Sequence, residues 1–162
     1  MEAMVKSINK FKLFILKTRL KEFNKPGEGG IVATLLETKH GEPVLLALHE
    51  DKEGPVLNFW LYSVHWTKID RSSMILFLNE HSLQISDIQV LEYRDKPYIK
   101  KYGKGYGTIF MTYLIKEAKK RNLTAITGEM SFENDEQKVR QKNFYTKYGF
   151  HIDSDYKLLK ML

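Results

Sequence analysis

There is no cysteine among the 162 residues of the chain. Disulfides, a thiolate nucleophile and Cys-ligated zinc are therefore excluded together. This composition fits a reducing compartment. Acidic residues are in the minority, 20 against 26 lysines and arginines, for a formal net charge of +6. Such an excess suits an anionic ligand, an anionic surface or nucleic acid, and equally an ordinary basic soluble protein. Long hydrophobic runs are also missing. The stretch around Phe14-Ile15-Leu16 is bracketed by Lys12 and Lys17, too short and too charged for a signal peptide or a membrane span. The expectation is a soluble, cytoplasmic protein with no membrane partner. His40, His49, His65, His81 and His151 lack metal-ligand spacing, so no metal is expected. A Gly-x-Ser-x-Gly element for a serine hydrolase is absent, as are internal repeats and low-complexity tracts.

What is present reads as one domain over residues 1–162, without an internal boundary. Residues 10–20 alternate loosely through Phe11, Leu13 and Ile15, which predicts a strand. Residues 24–30 form a loop by composition. Strands follow over 31–39, 44–49, 56–66, 74–78 and 83–93, separated by turn-forming clusters such as His40-Gly41-Glu42-Pro43. The first half is thus an antiparallel meander. Trp60, Tyr62, Trp66 and Phe59 read as its core rather than as a stacking platform. Residues 108–121 carry Phe110, Leu114 and Ala118 on one helical stripe. A short strand over 124–130 comes next. Asn134 then caps a helix, with Gln137 completing a capping-box pattern, and Gly149 ends it. One or two short strands fill 150–162.

Before the first of these helices stands Tyr102-Gly103-Lys104-Gly105-Tyr106-Gly107. Alternating glycines let backbone N–H groups turn inward and a bulky anion come close. The helix start adds unpaired donors and the positive end of its dipole. A phosphate or pyrophosphate suits such a cradle. A nucleoside-triphosphate loop needs Ser or Thr after Gly-Lys, and Gly105 follows Lys104 instead.

The second informative segment is Asn143-Phe144-Tyr145-Thr146-Lys147-Tyr148-Gly149-Phe150. Together, the glycine loop and this segment resemble two motifs of the GCN5-related N-acetyltransferase superfamily, across residues 83–162. The resemblance implies an α/β fold: a mixed, mostly antiparallel central sheet with flanking helices and a β-rich N-terminal half. It implies an acyl-CoA-dependent N-acyltransferase, moving acetyl from acetyl-CoA to an amine of a small molecule or peptide. Coenzyme A contacts would come from Val90, Leu91, Glu92, Gly103, Lys104, Gly105, Tyr106, Gly107, Thr108, Asn143 and Tyr145. Tyr145 stands at the family's general-acid tyrosine. Glu92 and Glu129 are the carboxylates placed to take the amine proton, with ordered water as the alternative.

The chain departs from the family at Tyr102, where Arg or Gln is usual, and at Lys138 and Gln141, where the family has Asn and Ala. Residues 94–101 lengthen the approach to the loop, and no helix pair follows the first strand. A CoA-binding module without efficient transfer, or a nucleic-acid-associated protein, are the alternatives, with nucleic acid the less expected partner. A homodimer is compatible with the sequence.

Overall fold

The segment around Leu16 is a helix, not the strand expected over 10–20. Helix α1 (Glu2–Phe23) takes its place. Leu16 is fully buried, Phe23 is 6% exposed, and Leu20 packs beside them. Steps of four and three residues put these on one face. Phe11 and Phe14, 48% and 69% exposed, lie off that face and blur the period. The computed structural model describes residues 2–25, 30–65, 68–90 and 103–162.

After α1 the order is β1 (Ile31–Glu37), β2 (Pro43–Glu50), β3 (Val56–His65), β4 (Lys68–Leu78), β5 (Ser82–Gln89), α2 (Tyr106–Lys120), β6 (Ala125–Glu129), α3 (Asp135–Lys147), β7 (His151–Ile152) and β8 (Lys157–Met161). The described strands join one eight-stranded sheet in the order β1-β2-β3-β4-β5-β6-β8-β7. The first five form the expected antiparallel meander. Among the described residues only β5 and β6 run parallel, as a helical crossover through α2 requires. Strand β4 begins earlier than its apolar run at Met74. Its first half turns Asp70 and Ser72 inward, 3% and 1% exposed, so the hydrophobic alternation is hidden there. Trp60 and Tyr62 face the α1 side of the sheet; Trp66 lies outside the described residues.

Two hydrophobic clusters hold the layers together. The larger joins Leu57, Phe59, Met74, Leu76, Leu83 and Ile85 of the sheet to Phe110, Met111 and Leu114 of α2 and Tyr145 of α3. The smaller joins Leu16 and Phe23 of α1 to Leu45, Ala47, Tyr62 and Val64. A turn over 38–42, and no helix pair, follows β1, the first strand.

The sheet opens at its parallel pair. Strands β5 and β6 pair only from Ser82↔Ala125 to Ile85↔Gly128. Beyond that point β5 stays with β4, and β6 stays with β8. The register between β4 and β5 jumps from Leu76↔Ile85 to Ile75↔Asp87, leaving Ser86 as an extra residue. A bulge of this kind bends and twists its strand. It therefore lies where β5 leaves β6.

Candidate functional site

The glycine loop enters α2 two residues earlier than the apolar stripe predicts, at Tyr106. Gly105 is the reason. It adopts the left-handed conformation, φ 95° and ψ 7°, and serves as N-cap. Gly103 is left-handed as well, at φ 82°. No side chain caps the helix, and its first turn holds no acidic residue. Gly107 is needed for a different reason. A Cβ there would stand 3.0 Å from the Phe144 ring, so α2 and α3 approach closely at this point.

The loop borders a cavity of about 310 Å³. Gly103, Gly105, Tyr106, Gly107 and Thr108 line it from one element, Ile88 and Val90 from the end of β5. Phe144 and Tyr145 line it from α3. The cavity thus spans the uncapped helix start, the end of the departing strand and the tyrosine.

Tyr145 is 7% exposed and packs edge-on between Phe144 and Phe150, at 5.4 and 5.5 Å between centroids. Burial pushes its phenol up to about 12, and the charge of Asp87 pushes the same way. It therefore stays protonated through the physiological range. The segment carrying it is fixed at both ends. Asn134 Oδ1 accepts from Gln137 N at 2.9 Å, and Gln137 Oε1 accepts from Glu133 N at 2.8 Å. Gln137 thus reaches one residue beyond the cap that a capping box would bond. At the far end Gly149 N donates to Thr146 O and Phe150 N to Tyr145 O, with Gly149 at φ 77°. This is a Schellman ending, and it turns Phe150 back into the core.

The other expected residues are more scattered. Leu91 and Glu92 lie outside the described residues, as do Tyr102 and the longer approach over 94–101. Glu129 is exposed at the end of β6, opposite Lys157. Asn143 is exposed on α3. Neither Glu129 nor Asn143 is among the residues lining the cavity. Lys104 does not line it either; burial lowers the His65 pKa, and the charge of Lys104 lowers it further. Lys138 bonds the Tyr156 hydroxyl at 2.6 Å and lies 5.3 Å from the Phe132 ring centroid, so it serves packing. Arg121 ties the far end of α2 to Glu50, at 2.8 and 3.1 Å, and to Glu117. The described residues offer no group of His, Asp and Glu that could hold a metal ion.

Sequence reasoning read residues 40–43 as a turn but gave neither that turn nor Asp87 a place at the site. Asp87 follows the bulge, and Gln89 Nε2 donates to its Oδ2 at 2.6 Å. Only the register jump reveals that it lies near Tyr145. The turn grips the glycine loop directly. His40 Nε2 donates to Gly103 O at 3.0 Å, and Tyr106 Oη donates to Glu42 Oε2 at 3.2 Å. Helix α1 holds the turn in place, with Asn9 Nδ2 donating to Gly41 O and Lys12 paired to Glu42, both at 3.1 Å.

No described helix is long and apolar enough to cross a membrane. No protein-family model matches the sequence, and no curated protein matches it significantly. Solved structures do. A mutant of the cAMP-binding acyltransferase from Mycobacterium smegmatis aligns over 91% of this chain and 50% of its own, at TM-score 0.58 and 12% identity. PaiA N-acetyltransferase from Thermoplasma acidophilum, in complex with coenzyme A, aligns over 67% and 62%, at TM-score 0.49 and 16% identity. Nourseothricin acetyltransferase aligns over 80% and 81%, at TM-score 0.47 and 16% identity. The chain spans less than two thirds of the first two proteins. At these identities the likeness is one of architecture. With its β5–β6 opening and its α2 crossover, the chain shares the fold of the cAMP-binding acyltransferase structure.

Proposed function

We propose that the chain is an acyl-CoA-dependent N-acyltransferase, with residues 1–162 acting as one domain and acetyl-CoA as the donor. The observation that carries this is the meeting of three features at one cavity: the uncapped α2 start, the strand end at Ile88–Val90, and buried Tyr145. The main-chain N–H groups of Tyr106, Gly107 and Thr108 would hold the pyrophosphate, because they are the orphan donors of the helix. The pantetheine arm would lie along the end of β5, where Val90 offers main-chain groups that β6 does not take.

Coenzyme A supplies the acyl group as a thioester; the amine lone pair forms the C–N bond, the C–S bond breaks, and a thiolate leaves. Tyr145 serves that thiolate. A thiol ordinarily has a pKa of about 8.5, well below the value of about 12 for this phenol. Full proton transfer is therefore uphill, and Tyr145 acts by hydrogen-bonding the developing charge. Asp87 takes the amine proton in this reading, with Glu129, Glu92 or water as the alternatives. An amide N–H near Val90 would hold the oxyanion.

Acetyl-CoA titration by calorimetry tests the reading, followed by thiol release over a panel of amines. No binding at millimolar donor removes it. Tight binding with no transfer to any amine leaves a CoA-binding module.

A further inference from the structure

Loop glycines alone supply no side-chain cation, and the position before them is Tyr102. Two cations nevertheless line the cavity, each from a separate element. Lys39 comes from the turn between β1 and β2, and Arg140 from α3. The stem of Lys39 runs over the loop: a Cβ at Gly105 would stand 3.3 Å from its Cγ and 3.8 Å from its Cδ. Its main-chain N is 3.6 Å from the same point. Lys39 is exposed, and the backbone that presents it is held in place. Thr38 Oγ1 accepts from His40 N and Glu42 N, at 3.3 and 3.2 Å, which fixes the turn that presents it. None of the described residues lining the cavity is a carboxylate.

We propose that Lys39 and Arg140 form a phosphate clamp across this cavity, binding the charges on the nucleotide side of coenzyme A. The inference rests on the acyl-CoA reading and extends it to donor selectivity. The main-chain cradle holds one phosphate group through N–H donors. The two side chains add charge-assisted contacts to phosphates further along the molecule. The donor taken by this site is then the whole nucleotide thioester, and a carrier with pantetheine and a single phosphate binds weakly. Lys39 comes from the N-terminal meander, so that half of the chain takes part in binding.

Calorimetry with coenzyme A, dephospho-coenzyme A and 4′-phosphopantetheine tests the clamp on the full chain. Lys39→Gln and Arg140→Gln should each weaken coenzyme A about tenfold, and the double variant about a hundredfold. Lys39→Arg should stay near wild type. For 4′-phosphopantetheine every variant should lie within about twofold of wild type. Losses retained with dephospho-coenzyme A assign the clamp to the pyrophosphate; losses that vanish assign it to the 3′-phosphate. Wild-type binding with both single variants unchanged overturns the clamp alone, as do equal losses for 4′-phosphopantetheine. Failure of wild type to bind coenzyme A removes the acyl-CoA reading itself. Unchanged melting temperatures confirm that the variants are folded.

Discussion

Tyr106 Oη donates to Glu42 Oε2 at 3.2 Å, tying the first residue of α2 to the turn between β1 and β2. Burial raises the Tyr106 pKa above its ordinary value, and the Glu42 carboxylate adds to the rise. Glu42 also binds Lys12 of α1, where both side chains are less than one-fifth exposed. One carboxylate thus connects the N-terminal helix, the turn and the glycine loop.

Replacing Glu42 with Ala should leave a buried phenol and a lysine without their acceptor. The expected loss is about 1–2 kcal/mol of stability, measured by urea denaturation. Coenzyme A affinity should fall about threefold to tenfold, because the loop loses an anchor without losing a ligand contact.

Tyr145→Phe keeps the ring and its edge contacts with Phe144 and Phe150. It should lower kcat about 10- to 100-fold while leaving coenzyme A affinity within about twofold. The phenol titrates near 12, so the pH–rate profile below pH 10 should keep its shape. A limb that disappears with the variant would assign it to Tyr145 and refute this account.

The same phenol makes the fold sensitive to alkali. Its folded pKa is raised, so its contribution is complete below the ordinary tyrosine value near 10 and is lost as pH climbs towards 12. Wild type should lose on the order of 2 kcal/mol more than Tyr145→Phe between about pH 10 and 12. Denaturation curves for the pair at pH 8, 10 and 11.5 measure the difference, and lysine titration cancels between them.

Asp87→Asn removes the charge that helps to hold the Tyr145 phenol high. The phenol should then titrate at lower pH, visible in its ultraviolet absorbance. If Asp87 takes the amine proton, kcat/KM at neutral pH should fall about tenfold or more, with recovery at higher pH.

Gly107→Ala should force the Phe144 ring away from a Cβ that would lie at 3.0 Å. Alanine is the better helix former by up to about 1 kcal/mol, so stability should change little. Coenzyme A affinity should drop about tenfold. Adding Phe144→Leu should recover part of it.

Which parts of this were legible beforehand follows from where the signals are local. Gly103, Gly105 and Gly107 announce a loop on their own, and Asn134 and Gly149 mark the ends of α3 as expected. The meander was readable because turn clusters separate its strands. Helix α1 was not, because Phe11 and Phe14 are apolar yet exposed. The first half of β4 was hidden by Asp70 and Ser72, polar residues on an inward face. Asp87 and Lys39 carry no motif. Asp87 comes near Tyr145 through a one-residue bulge, and Lys39 meets Gly105 only because β1 and β2 form a hairpin at that end of the sheet. Both placements depend on register and tertiary contact, and local pattern contains neither.

The smaller hydrophobic cluster has a dynamic consequence. Helix α1 docks through few buried side chains, with Leu16 and Phe23 at the centre. Its amides should therefore exchange with solvent sooner than those of α2, which is sunk in the larger core. Each opening of α1 frees Asn9 and Lys12 from the turn, and the turn from its hold on the loop. A ligand that needs an ordered loop must then slow exchange in α1, a helix whose described residues do not line its cavity.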